Sequence, residues 1–455
     1  MSLSRRTLVR GLGASVLGAS TLVGCRTDDP SKPTDPASGE GPPTDAAPED
    51  PLRIALVTTS LGPVGDVRRQ VEDAVAEGIR EINYDGGVFG RDVELFDPHV
   101  VEHADEDLGA VAKELGPDGE GASALILAVD DAQLVDALPD IAATGMVILS
   151  PTSSSTRVRA EGGDAGLLFR LAPTQEAVAT VLVEEAVGTD PKDRGGEPGT
   201  IAFLGTDDEA SNDLRDQLVA QGRPKGAKLV LEKTYGEGEL GDVAGRARAI
   251  AKAKPAMLVL TGGAETTDLL RALHTEIADD RGRPEIEIAV RLVGPAVRDH
   301  AQDHLPKDAL SGASGLQAGG PVPETFRLWM LNRDSSLLEL GPPGMAAATQ
   351  AYDSLALICL AARQAQSLEG ATIAGAVPGV LTGSEECTSL EACTTELSSQ
   401  QQVGETPSIA YRCASGDLAL GEDRDLVSGQ LRSFDYSESG AIGSPQATDF
   451  ELAGD

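Results

Sequence analysis

The chain has 455 residues, with 73 Asp and Glu set against 37 Lys and Arg and a formal net charge of −36. Such a surface repels polyanions, and no basic patch with interleaved aromatics interrupts it, so nucleic acid is excluded as a partner. The acidity itself reads as a solubility adaptation.

The first residues are a targeting segment and not part of the fold. Ser4, Arg5, Arg6, Thr7, Leu8, Val9 and Arg10 precede the small and apolar run 11–24. About 20 residues are needed to cross a bilayer core, so this shorter run reads as a signal-peptide core. The paired arginines give it a twin-arginine character. It ends in Leu22, Val23, Gly24 and Cys25, the order of a lipobox, so Cys25 is expected to carry the lipid and to become the mature N-terminus. Acyl chains contribute about 0.8 kcal/mol per buried methylene and anchor without a membrane span. Residues 26–50 hold no aromatic, Leu, Ile or Val and are rich in Asp, Pro, Ser and Thr. They cannot bury enough apolar surface to offset ordering, so 25–50 reads as a disordered tether.

From Pro51 onward apolar runs alternate with helical patterns. Ile54–Val57 is a buried strand, and Val67, Val71, Ala74, Val75, Ile79 and Ile82 recur at helical spacing until Gly86 and Gly87 stop them. Strands follow at 93–96, 124–129 and 146–149, with helices over 108–115 and 132–143. A second series starts after Arg170: strands at 201–204, 229–231, 257–260 and 288–293, with helices over 211–220, 242–253 and 267–277. Continuous apolar strands alternating with helices predict α/β architecture with two doubly wound parallel sheets, each covered on both faces.

Five cysteines are present. Beyond Cys25, the four at Cys359, Cys387, Cys393 and Cys413 permit three pairings in an oxidising compartment. Cys387 and Cys393 close a short polar loop and are the preferred bridge, whereas Cys359 lies in an apolar helical pattern and reads as a small hydrophobe.

The segment Ile82, Asn83, Tyr84, Asp85, Gly86, Gly87, Val88, Phe89, Gly90, Arg91 resembles a hallmark of type I periplasmic binding proteins, in the branched-chain amino-acid-binding branch. Further resemblances occur in order: 149–155, Phe169 to Pro173, Ala351 to Ser354, and Ala414 to Asp417. The resemblance implies two lobes joined by three crossings, near Ala172, Gln317 and Cys413. The N-terminal lobe is then 51–172 with 317–412, and the C-terminal lobe 173–316 with 413–455. It also implies a monomer that captures a small polar solute between lobes that close by hinge motion, and presents it to the permease and ATPase of an ABC transporter. No cofactor and no metal are implied.

Ligands of open parallel sheets bind beyond the carboxyl ends of the strands. That rule selects Ser60, Asp130, Asp131, Thr152, Ser153 and Ser154 in the first lobe, and Asp207, Asp208, Gly263 and Ala296 in the second. By resemblance, Thr152 and Ser154 match the family's carboxylate-binding positions. The glutamate that holds an ammonium after a Gly-Pro pair is replaced by Ala296, following Gly294 and Pro295. A standard α-amino-acid pose is therefore not expected unless Asp130, Asp131, Asp207 or Asp208 takes over. A sensory or structural lipoprotein with the same fold is the alternative.

Catalytic motifs are weak. His99, Glu102 and His103 match an inverted zinc-peptidase signature, which needs a helix. Pro98 precedes them and the pattern places them between a strand and a helix, so a surface position is expected. His300 and His304 are expected to be exposed. The glycines at 236, 238 and 241 match a dinucleotide pattern, but glutamates within that loop would repel a pyrophosphate. No constellation for nucleophilic catalysis occurs, and the chain is not expected to be an enzyme.

Overall fold

The computed structural model describes residues 48–452 apart from 162, 189–195, 237, 334, 336, 338–343 and 403–406. The signal segment, Cys25 and nearly all of the expected tether lie outside the described residues. In chain order the elements begin with β1 (Arg53–Thr59), α1 (Gly62–Asp66), α2 (Arg68–Tyr84), β2 (Glu94–Leu95) and β3 (His99–Val101). There follow α3 (Leu108–Leu115), β4 (Ala124–Ala128), α4 (Asp131–Ala142), β5 (Val147–Ser150), α5 (Arg157–Glu161) and β6 (Leu168–Arg170). The second series is α6 (Gln175–Gly188), β7 (Glu197–Thr206), α7 (Glu209–Lys225), β8 (Lys228–Tyr235) and α8 (Val243–Ala253). It continues with β9 (Pro255–Leu260), α9 (Thr266–Ile277), β10 (Ala289–Val293) and β11 (Ser314–Ala318). Then come α10 (Glu324–Arg333), α11 (Ala346–Ala365), α12 (Gly370–Thr382), β12 (Glu385–Cys387), α13 (Leu390–Gln402) and β13 (Ile409–Tyr411). The chain ends in β14 (Ala419–Leu420), β15 (Leu426–Asp435) and β16 (Gln446–Glu451).

The apolar runs become central strands. β4 is buried at every position, and each of its large aliphatic side chains contributes about 1.5–3 kcal/mol on burial. The first sheet runs β2-β1-β4-β5-β6, with β3 also on β1, and every pairing is parallel. The second runs β14-β15-β11-β10-β9-β7-β8, with β16 on β15. Its strands β7 to β11 are parallel. The core around the first sheet draws on residues 52–171 and again on 326–411. The two faces of the second sheet draw on 177–316 and 426–450. The chain therefore passes between the sheets three times.

Three features depart from the sequence reading. The second sheet is not purely parallel: β15 pairs antiparallel with β11, and β14 and β16 antiparallel with β15. The ten residues joining β15 to β16 are too few for a covering crossover, so the pair returns antiparallel. Second, His99, Val100 and Val101 form strand β3 beside β1. Third, His300 is fully buried and only His304 is exposed. His300 Nδ1 lies 2.8 Å from Asp303 Oδ2, and burial pulls its pKa below the ordinary value.

The motifs behind the family resemblance have structural work in this fold. Asn83 stands in for a backbone group: its Nδ2 donates to Val93 O at 3.0 Å and its Oδ1 accepts from Val93 N at 2.7 Å. Gly87 has φ +66°, and a Cβ there would lie 1.8 Å from Arg91 O, so only glycine fits the turn. The buried Asp353 of α11 accepts from Tyr411 Oη, Ala414 N and Ser415 N, each at 2.8 Å, and pins the third crossing. Cys387 and Cys393 form a disulfide, with Cys359 buried in α11 and Cys413 both free. No helix of the described residues is long and apolar enough to cross a membrane.

Candidate functional site

The carboxyl ends of the parallel strands carry every side chain of interest, because each strand there gives way to a loop that caps the next helix. After β4, Asp130 caps α4 and accepts from Ala132 N at 2.9 Å. Asp131, the first residue of α4, is 7 % exposed and turns toward the loop after β5. Its Oδ2 accepts from Ser154 N at 2.9 Å and Ser155 N at 2.8 Å. Burial pushes its carboxyl up, against the pull of those hydrogen bonds. Ser153 is fully buried beside it, with its amide on Ser150 Oγ at 3.1 Å. Ser154 Oγ accepts from Gln175 Nε2 at 2.9 Å, while Thr152 Oγ1 is buried without a partner. The structure thus gathers Asp130, Asp131, Thr152, Ser153 and Ser154 into one cluster.

That cluster meets the second lobe at the N-terminal half of α7. Ser155 Oγ donates to Glu209 Oε1 at 2.9 Å, and Arg157 Nη1 to Glu209 Oε2 at 2.6 Å. Thr156 gives Asp213 both its amide, at 2.7 Å, and its hydroxyl, at 2.6 Å, and Gln217 Nε2 reaches Thr156 Oγ1 at 3.0 Å. Sequence reasoning missed Glu209, Asp213 and Gln217, although their spacing of four places them on one helical face. Asp208 caps α7 through Ser211 N at 2.8 Å, and Asp207 is exposed with Oδ1 on Asn212 Nδ2 at 3.0 Å. Asp130 confronts this acidic helix start: burial first, then the charges of Asp208 and Glu209, raise its carboxyl.

The remaining candidates stand apart. Ser60 sits after β1, its Oγ on Val101 O at 3.2 Å. Gly263 N donates to Glu265 Oε1 at 2.9 Å, and Tyr235 Oη donates to the same oxygen at 2.9 Å. Tyr235 approaches the neighbouring Gly262 so closely that a Cβ there would lie 1.7 Å from its hydroxyl. Ala296 is buried in the apolar face of the second sheet, and its side chain offers no polar group.

Beside the cluster, the first crossing holds a buried ion pair. Arg170 Nε donates to Asp425 Oδ1 at 2.7 Å, its Nη2 to Oδ2, and Arg159 Nη2 reaches Asp425 Oδ1 at 3.1 Å. Burial alone would raise Asp425, yet Arg170 and Arg159 together hold its carboxyl below the usual range. Neither arginine was singled out from sequence, because 255 residues separate Arg170 from its partner.

The zinc-peptidase geometry is not present. On β3 the chain is extended, so His99 and His103 cannot sit one helical turn apart, and His99 Nε2 lies 2.6 Å from Glu106 Oε1. Among the described residues no group of three or more His, Cys, Asp or Glu is placed to hold a metal.

No curated protein sequence matches the chain. Solved structures do, at low identity and over their full length. An ABC transporter substrate-binding protein from Desulfitobacterium hafniense, in complex with Leu, has 17% identity and a TM-score of 0.60, covering 87% of this chain and 99% of that one. The branched-chain amino acid transporter substrate-binding protein LivJ from Streptococcus pneumoniae, in complex with isoleucine, has 12% identity and a TM-score of 0.60, covering 88% and 100%. A solute-binding protein of an ABC transporter from Rhodopseudomonas palustris, in complex with 3,4-dihydroxybenzoic acid, has 15% identity and a TM-score of 0.61, covering 90% and 99%. These likenesses carry the fold, a pair of α/β lobes with parallel sheets. The family assignment comes from the sequence itself: residues 51–385 match the family model of a periplasmic binding protein, and the chain belongs to that family of binding proteins, not to an enzyme family.

Proposed function

We propose that the protein is the solute-capturing component of an ABC-type importer, tethered outside the cytoplasm by lipid on Cys25. The segments 51–172 with 317–412, and 173–316 with 413–455, act as two lobes that close on a small polar solute. The observation that carries this is the direct docking of the 155–157 loop on α7, where Thr156 and Asp213 meet at the facing carboxyl ends of the two sheets. A hinge that brings such loops together builds a cleft whose walls are amides, hydroxyls and carboxylates. Family membership and the solutes bound by the solved relatives, amino acids and a hydroxylated benzoic acid, support the same class of ligand.

The test is a thermal-shift screen of the intact protein against amino acids, amides, polyamines, short peptides and carboxylates. A solute at a hundred times its dissociation constant adds about 2.7 kcal/mol of stability. One chemical class is expected to raise the melting temperature, and Asp130→Ala and Thr152→Val to diminish the rise. Mass spectrometry of the mature N-terminus checks the anchor, where an unacylated product starting elsewhere would refute it. A second reading, a sensory or structural lipoprotein, is favoured by one observation: Asp131, Glu209 and Asp213 already take the amides or hydroxyls of Ser154, Ser155 and Thr156. If no solute shifts the folded protein, that reading replaces transport.

A further inference from the structure

Arg432 is 1 % exposed and has no counter-ion among the described residues. Its Nη2 donates to Ala318 O at 3.2 Å, while Nε and Nη1 are buried with no partner. Among the described residues no acidic group acts on it, and burial alone lowers its pKa, to about 10, so it keeps its proton at neutral pH. A buried charge that cannot be shed needs a partner of opposite sign. The chain has 73 acidic residues, and none of those among the described residues supplies one here.

Two further orphaned groups converge on the same turn of chain. Gln317 is the cross-strand partner of Arg432, so both side chains rise from the same face of the second sheet, and Gln317 Oε1 is buried without a donor. Gln350 is 2 % exposed and its Nε2 is unpartnered. A Cβ on Gly319 would lie 3.0 Å from that nitrogen, so the amide reaches the peptide next to the one Arg432 holds. Gly320 N donates to Ser415 O at 2.6 Å, which brings the second and third crossings together over this spot. The place is the carboxyl end of β11, at the same edge of the second sheet as the carboxyl ends of its parallel neighbours β10, β9 and β7.

We infer that Arg432 and Gln350, with Gln317 beside them, form an anion site at the second crossing that takes the carboxylate of the captured solute. Nε and Nη1 lie on different edges of the guanidinium, and each can give a carboxylate one charge-assisted hydrogen bond, to which the Gln350 amide adds a further donor. Gln317 Oε1 is left to accept from a hydroxyl or ammonium beside that carboxylate. The inference rests on the cleft reading, since access requires the lobes to part at this crossing.

The experiment is a calorimetric and thermal-shift titration of the intact protein with leucine, benzoate and lactate, each paired with its neutral amide. Chloride and phosphate are run alongside at constant ionic strength, and every probe is repeated on Arg432→Met and Gln350→Leu. At least one carboxylate is expected to bind saturably while its amide does not. Arg432→Met is expected to weaken that binding by about 100-fold, and Gln350→Leu by about 10-fold. Equal binding of acid and amide, or unchanged affinity in Arg432→Met, overturns the anion site and leaves the cleft reading standing. Stabilisation by chloride or phosphate alone overturns the assignment to the solute. Binding of nothing overturns both. Should Arg432→Met fail to fold, unchanged carboxylate affinity in Gln350→Leu is enough to overturn the site.

Discussion

Arg170 and Arg432 are both 1 % exposed, and both lie where the chain passes between the sheets. Arg170 has a carboxylate in its fork and a backbone carbonyl, Ser155 O, on its remaining nitrogen. Arg432 has one backbone carbonyl and two idle nitrogens. Equal burial with unequal satisfaction separates two uses of a buried charge. At the first crossing the charge is complete and fixes how β6 meets the turn before β15. At the second it is incomplete, and the fold holds a cation ready without supplying what it needs.

The largest expected effect comes from breaking the complete pair. Asp425→Ala leaves Arg170 buried and unpaired, which costs about 3–5 kcal/mol, and denaturant unfolding should show the loss. The double variant Arg170→Met with Asp425→Leu removes both charges and should recover most of that stability, since neither ion is then stranded. A double variant as unstable as the single one would show that packing, not charge, holds this crossing. Because Asp425 is depressed in the folded state, its contribution is present above the ordinary carboxylate range and is lost as pH falls through the folded value. Wild type should therefore lose part of its advantage over Asp425→Ala in acid.

Arg432 should behave in the opposite way. Replacing an unpaired buried ion by an apolar side chain of similar length is neutral or stabilising, here by about 1–3 kcal/mol in ligand-free protein. A loss of that size in Arg432→Met would mean that its bond to Ala318 O is structural, and would erase the contrast with Arg170.

The cysteine pair gives a smaller, local effect. A loop closed by residues six apart constrains the unfolded chain by about 2 kcal/mol at most. The Cys387→Ala, Cys393→Ala double variant should lose stability of about that size and become insensitive to reductant, whereas Cys359→Ala and Cys413→Ala keep the bridge and should be as sensitive to reductant as the wild type.

The parallel sheets were legible because their strands are unbroken apolar runs, as 124–128 and 257–260 show. The end of the chain was not. β15 alternates buried, half-buried and exposed positions without a clean period, and its identity rests on pairing with β11 from over a hundred residues earlier. The same distance hides Asp425 and Arg432, whose meaning comes from their surroundings and not from their neighbours in sequence. His300 misled for a related reason: a polar side chain was buried by acquiring Asp303 and the turn at Gly440, not by any apolar pattern. The loops at the strand ends were found because a topological rule locates them. What they bond to required the two lobes in contact.

The smallest effect tests the acidic face of the cleft against the cationic spot behind it. Asp130 is raised by burial and by Asp208 and Glu209, so its ionised form opposes the closed arrangement. A carboxyl raised in the folded state favours folding at low pH, and that favour is lost as pH rises through the folded value. Asp130→Asn keeps a competent cap for α4 and removes the charge. It should stabilise the protein at neutral pH by less than about 1 kcal/mol, and the gain should vanish in acid, where wild type is protonated. Melting curves of both proteins across pH 4 to 8, the window between roughly the ordinary carboxylate value and neutrality, decide it. A gain that is independent of pH would assign the effect to the cap and not to repulsion across the cleft.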